Sequence, residues 1–280
     1  MNAVYNVMEL FIPFSWIHFN FMKNALIAII LIAPLFGLVG TMIVNNKMSF
    51  FSDALGHSAL TGIAIGVVLG VGNYMISMLL FAVLFALAIS KVIQSEVSST
   101  DTVIGVFSSV GVALGIVILS VKGGFSRYST YLIGDILSIT EKEILILAIT
   151  LILVIILWIL CFNKLMLSSL DPDLALSRNV NLGFYKNIFV LLIAVIVTVS
   201  IKWVGMLIIN SLLVIPAASA KNIAYNMKTY HILSVLFSII SGVFGLILSY
   251  YLGTSAGATI VLISSVIFLI TFVLRKRIAK

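Results

Sequence analysis

Nine apolar runs, each close to one membrane thickness in length, decide what this chain can fold into. They occupy residues 24–44, 54–72, 74–92, 102–121, 144–162, 187–201, 204–220, 232–251 and 257–274. A helix needs about 20 mainly apolar residues to cross a hydrocarbon core of roughly 30 Å, so most are long enough and the sixth and seventh are short. The runs are continuous, not alternating, which implies helices and excludes the strands of an outer-membrane barrel. With 62% of residues hydrophobic, 9% charged and a mean hydropathy of +1.28, the solvent for this chain is lipid. The expectation is an all-α polytopic membrane protein with about eight or nine transmembrane helices.

Basic residues set the orientation. Eleven of the 16, among them Lys47, Lys91, Lys164, Lys186, Lys221 and Arg275, fall in the connections on one side, which is therefore cytoplasmic. The remaining five, among them Lys23 and Lys202, fall on the other. This asymmetry accounts for most of the net charge of +7, and no nucleic-acid partner is needed to explain it. Residues 1–23 are apolar but carry Glu9, Pro13, His18, Asn20 and Lys23, and read as an interfacial segment on the outer face, with a tenth span as the alternative. No basic stretch precedes the apolar run and no small-residue cleavage site follows it, so a cleaved signal peptide is not expected. The organisation is thus an N-terminal segment 1–23, a permease domain 24–274 with a cytoplasmic loop at 163–186, and a basic tail 275–280.

The single cysteine, Cys161, excludes an internal disulfide and a thiolate metal cluster. No GxxxxGK[ST] phosphate loop occurs, and the polar connections are too short to house a nucleotide domain. If ATP drives this protein, another chain binds it. The chain is expected to have no catalytic activity and no permanently bound cofactor.

Chemistry concentrates at the start of the second run. Asp53 and His57 are four residues apart, so on a helix both side chains face the same way. Counted continuously from Lys47 at 1.5 Å per residue, Asp53 lies about 9 Å and His57 about 15 Å deep, near the midplane. An unpaired carboxylate there costs at least a few kcal/mol and needs a cavity, a partner or a cation. Three readings follow: Asp53 caps the helix while His57 bonds a neighbouring span; the pair relays protons; or the pair coordinates a divalent cation. Imidazole with carboxylate suits zinc and manganese, and two ligands leave the shell to be completed by other groups or waters. Gly62, Gly66 and Gly70 repeat every fourth residue on the opposite side, a stripe that lets a neighbouring helix approach closely.

The segment FSDALGHSALTGIA at 51–64 resembles the signature of ATP-binding-cassette permeases that import zinc, manganese or iron. STDTVIGVF at 99–107, YLIGDIL at 131–137 and VGMLIINSLLVIPAA at 204–218 are similar, in order, to later segments of the same family. The resemblance covers the chain from about Asn24 onward. It implies a fold like that of the vitamin B12 and siderophore importers with fewer helices, in a bacterial cytoplasmic membrane. It also implies a homodimer forming the translocation path, two cytoplasmic ATPase subunits and an extracytoplasmic metal-binding protein that delivers cargo. By the same resemblance, Asp53 and His57 match metal-handling positions.

DPDLALSRNVNLG at 171–183 resembles the short coupling helix that importers press into a groove of the ATPase, with Asp171, Asp173, Ala175 and Gly183 as its marks. Acids and Pro172 suit a helix start, while an ordinary polar connector is the plainer reading. Asp135, in an outer loop at 124–140 that could dip back into the protein, is a candidate for cation entry or a solvated loop acid. Asp101 reads first as a helix cap and second as a cation exit. Pro216 removes a backbone hydrogen bond and is expected to kink its span. His18 and His231 sit near interfaces and are not expected to be ligands. The reading is an importer permease for zinc or manganese, with a permease for a metal chelate and a proton-coupled secondary transporter as alternatives.

Overall fold

A computed structural model describes residues 2–11, 14–121 and 134–278. In chain order the helices are α1 (Asn2–Phe11), α2 (Asn20–Asn45), α3 (Phe51–Val68), α4 (Tyr74–Gln94) and α5 (Thr100–Val121). They continue with α6 (Glu141–Leu170), α7 (Pro172–Ser177), α8 (Leu182–Ile223), α9 (Met227–Leu252) and α10 (Ala256–Ile278). Short 3-10 turns lie at Ser15–His18 and Ile136–Ser138, and the described residues contain no strand. The outer loop expected to dip back lies outside the described residues from 124 to 133.

Helix ends follow local chemistry. The Asn73 side chain accepts from the Met75 N–H at 3.0 Å to start α4, and Asn226 accepts from Thr229 at 2.8 Å to start α9. Helix α3 ends in a Schellman arrangement: the Val71 N–H bonds the Gly66 carbonyl and the Gly70 N–H the Val67 carbonyl, with Gly70 at φ +68°. Gly70 therefore does not belong to the packing stripe. It stops the helix, because only glycine takes that backbone conformation without strain.

The chain divides into two compact units. One comprises Met1–Thr41, Asp135–Ile152 and Trp203–Lys280, the other Met42–Gly134 and Leu153–Lys202. In the first, Gly37 lies against the backbone of Ser234 and Val235, and Gly245 against Ile260. The Ser234 hydroxyl donates to the Gly37 carbonyl at 2.6 Å. In the same unit α1 is tied down by polar contacts. Tyr5 donates to Asn24 Oδ1 at 2.5 Å, and Lys23, buried, donates to Glu9 Oε1 at 2.5 Å. That hydrogen bond and the lysine charge hold the Glu9 carboxyl below the usual range. At ten residues α1 is about 15 Å long, half of a span.

Among the described residues, eight helices are long and apolar enough to cross a membrane. The sixth and seventh apolar runs differ from the expectation. No loop separates them: α8 runs continuously through Lys202, and the departure from helical geometry falls at Gly205, with φ 78° and ψ 157°. That region of backbone space is essentially restricted to glycine. The stretch that ends just past it, Leu182–Met206, is 25 residues, a full span; the next, Ile208–Ile223, is shorter, about 24 Å by helical rise. Pro216 sits inside this second piece, where the backbone dihedrals stay helical.

In the second unit α3 packs on both α4 and α5. A Cβ at Gly62 would stand 2.7 Å from Met78 Cα, and one at Gly66 would strike the Ser77 hydroxyl. On the α5 side, a Cβ at Gly115 would come within 2.9 Å of Thr61 N and Oγ1, and Thr61 donates to the Gly111 carbonyl. Gly62→Val is expected to destabilise by about 1–3 kcal/mol, the usual range for overpacking. Gly105→Ala, with nothing within 4 Å of the added methyl, is expected to be neutral. Thermal unfolding of the detergent-solubilised proteins distinguishes them, and equal midpoints would disprove the close α3–α4 approach.

Candidate metal-handling site

Helix α3 starts abruptly. Lys47 takes a positive φ of 55° in the turn that follows α2, and the Met48 N–H reaches back to the Ile43 carbonyl at 3.0 Å. Residues 46–50 are therefore not helical, and the first helical residue is Phe51. Measured from there, Asp53 stands only about 3 Å and His57 about 9 Å along the axis. The pair is thus shallower than a continuous helix from Lys47 implies. The turn absorbs the residues that the earlier count had assigned to helical rise.

The N-cap is Phe50, so Asp53 lies three residues into the helix, in its first turn, where a carboxylate also complements the helix dipole. His57 Nε2 lies 3.5 Å from Asp53 Oδ2. Two ligands held at about 2.1 Å from one tetrahedral ion are separated by about 3.4 Å, so this spacing suits two donors to a common metal. The flanking residues Ser52, Ala54, Leu55, Gly56 and Ser58 are buried. Against that background the side chains of Asp53 and His57 remain 36% and 29% exposed.

Among the described residues, no group of three or more His, Cys, Asp and Glu side chains gathers as a metal would require. A cavity of about 130 Å³ in the same unit is lined by Asn46, Gln94, Thr100 and Lys186, with neither Asp53 nor His57 in its wall. Asp135 belongs to the other unit. It is exposed, and its Oδ1 accepts from the Leu137 N–H at 3.0 Å to cap the 3-10 turn. Asp101 is exposed in the first turn of α5, where Ser99 bonds the Thr102 N–H at 3.3 Å and takes the capping role expected of Asp101.

Residues 171–177, expected to couple to the ATPase, fold as a short capped helix. Asp171 Oδ1 accepts from the Leu174 N–H at 2.9 Å, Pro172 occupies the first turn beside Asp173, and α7 ends at Ser177. Ala175 is fully buried and seats the helix, while Leu174 and Leu176 are exposed. Gly183, in the first turn of α8, lies so near Gln94 that a Cβ would meet Oε1 at 3.1 Å. Sequence reasoning missed the two exposed leucines, although their flanking of a small residue was visible. It also missed Gly111 and Gly115, whose spacing of four repeats on α5 the pattern singled out on α3.

Residues 18–275 match the model of the ABC 3 transport family. The chain is 33% identical over 254 residues to the manganese import system permease protein ScaB of Streptococcus gordonii, covering 91% of each. It is 31% identical to the high-affinity zinc uptake system membrane protein ZnuB of Haemophilus influenzae, covering 92% of this chain and 99% of that protein. Among solved structures it is similar to PsaBC from Streptococcus pneumoniae, determined in complex with Fab. That match has a TM-score of 0.79 and 30% identity and covers 97% of this chain and 95% of the other. A helical chain with eight candidate spans and an Asp-His pair at the mouth of α3 thus belongs to the ABC 3 transport family, as the multi-pass permease subunit of an ATP-binding-cassette importer in a bacterial plasma membrane.

Proposed function

We propose that the chain forms, with a second copy of itself, the path along which a bare divalent transition metal, zinc or manganese, enters the cell. The observation that carries this reading is the spacing and half-exposure of Asp53 and His57. Each copy offers two donors, and two copies facing one another across the path supply four. A carboxylate and imidazole set serves zinc and manganese alike, in keeping with relatives named for either metal. The permease hydrolyses nothing. ATP is consumed by separate subunits on the cytoplasmic face, which engage α7, and an extracytoplasmic metal-binding protein delivers the ion. Asp135 stands at the outer side as an entry residue, α1 lies along the outer interface, and Pro216 shapes the helix beyond Gly205. Metal is cargo here, not a resident cofactor.

Uptake into proteoliposomes tests this directly. The chain reconstituted with its ATPase facing the lumen, and supplied outside with its metal-binding protein, is expected to accumulate radioactive zinc or manganese only when ATP is enclosed in the vesicle. Accumulation by the permease alone under a pH gradient would make it a secondary transporter. Transport of metal only as a chelate would remove the need for direct ligands.

A further inference from the structure

The turn between α4 and α5, residues 95–99, reads Ser-Glu-Val-Ser-Ser and is exposed throughout. A stretch with so many polar groups has no place in hydrocarbon, so it lies beyond the helix ends in water. Lys91, in the last turn of α4, puts it on the basic, cytoplasmic side of the chain, the side of α7. In the middle of this polar turn Val97 is 83% exposed. Neither acyl chains nor a core cover it.

The backbone holds this turn in a defined shape. Glu96 takes φ 55°, a left-handed conformation disfavoured for any residue with a Cβ and usually given to glycine at a helix end. The Ser95 hydroxyl donates to the Val92 carbonyl at 2.7 Å, and the N–H groups of Ser95 and Glu96 close on the carbonyls of Val92 and Ile93 at 3.2 Å each. At the other end the hydroxyls of Ser99 and Thr102 share a hydrogen bond of 2.7 Å as α5 begins. Backbone strain of this kind gathers where a structure meets its ligands and partners.

The turn is also joined to the helix that follows α7. Ser90, on α4, donates to Asn187 Oδ1 at 2.7 Å, and Gln94 Nε2 lies 3.0 Å from the same oxygen. Gly183 leaves room for Gln94, whose Oε1 would stand 3.1 Å from a Cβ there. These contacts brace the last turn of α4 against the first turns of α8, which is separated from α7 by four residues. Val97, three residues past Gln94, therefore stands at the same cytoplasmic surface of one unit as the exposed Leu174 and Leu176. We infer that Val97 is a second anchor for the ATPase subunit that engages α7, seated in an apolar hollow of that partner. The inference rests on the role proposed for α7 above and extends the contact to a second place. It also gives the ATPase a shorter route to the metal-handling pair, because α4 and α5, which the turn joins, both pack on α3, the helix that carries Asp53 and His57.

Photocrosslinking in membranes that hold the full-length chain together with its ATPase tests this. A photoreactive benzoylphenylalanine in place of Val97 is expected to attach to the ATPase, as is one in place of Leu176, whereas one in place of Leu69, exposed at the opposite end of α3, is not. Val97→Ser is expected to lower co-purification of the ATPase about fivefold, the loss of one interface anchor, and Val97→Leu to leave it unchanged. Attachment from position 176 with none from position 97 would overturn this inference and leave the role of α7 standing, while no attachment from either would remove both. Attachment from position 97 to a second copy of the chain, or undiminished co-purification in Val97→Ser, would also overturn it.

Discussion

Asp53→Ala and His57→Ala are each expected to reduce ATP-driven metal uptake by about 100-fold or more while the protein still reaches the membrane. Groups one shell removed from a metal already cost about 10–100-fold in affinity when lost, and these are the two donors themselves. Folding is spared because neither side chain is part of the packed faces of α3. Those faces are built from Gly62 and Gly66 toward α4 and from Thr61 toward α5. Removing the Asp53 charge from the first turn costs only about 0.3–1 kcal/mol of helix-dipole stabilisation, and alanine is a better helix former than histidine. Exchange of donors separates a ligand from a mere pore-lining residue. His57→Cys should keep zinc and lose manganese, since a thiolate favours the softer ion, whereas His57→Asp should shift preference toward manganese. Transport unchanged in the double alanine variant would remove the pair from the path.

Much of this molecule is legible in its residues because lipid imposes a strong length rule on apolar runs. The helical class and the position of most spans follow from that rule alone. The pairing of Asp53 with His57 follows from helical periodicity, which is local. What stayed hidden depends on backbone turns or on distant partners. The depth of the pair was misread because the positive φ at Lys47 inserts a turn that hydropathy does not register. Gly70 looked like a third packing glycine because spacing cannot distinguish a residue inside a helix from one that terminates it. The break at Gly205 was expected as a connection at Lys202 and Trp203, with a kink at Pro216, yet a proline inside a packed helix can keep helical dihedrals while a glycine abandons them. The cavity beside Lys186 was invisible, since its wall is assembled from three stretches of chain about 50 to 90 residues apart.

The segment 171–183, proposed to engage the ATPase, gives the other large effect. Replacing Asp171 to Gly183 by a flexible linker is expected to abolish uptake without preventing membrane insertion, and Leu174→Asp combined with Leu176→Asp should do the same by two substitutions. Both leucines are exposed on a six-residue helix whose buried Ala175 fixes which side faces outward. An apolar pair on a cytoplasmic surface has little reason to remain exposed unless a partner covers it. Anchors of this kind carry about 2 kcal/mol or more at an interface, which corresponds to about a 30-fold loss of association. Asp171→Ala should have a milder effect, since it removes only the cap on the Leu174 N–H, typically about 1 kcal/mol. Two measurements on the same preparation locate the defect. Co-purification of the ATPase should fall with the leucine variants, while metal binding at Asp53 and His57 should persist, because those residues lie on α3 and not on α7. Normal uptake in the linker variant would show that force enters the permease elsewhere. Loss of metal binding together with loss of the ATPase would mean that α7 supports the fold of its unit and not its coupling.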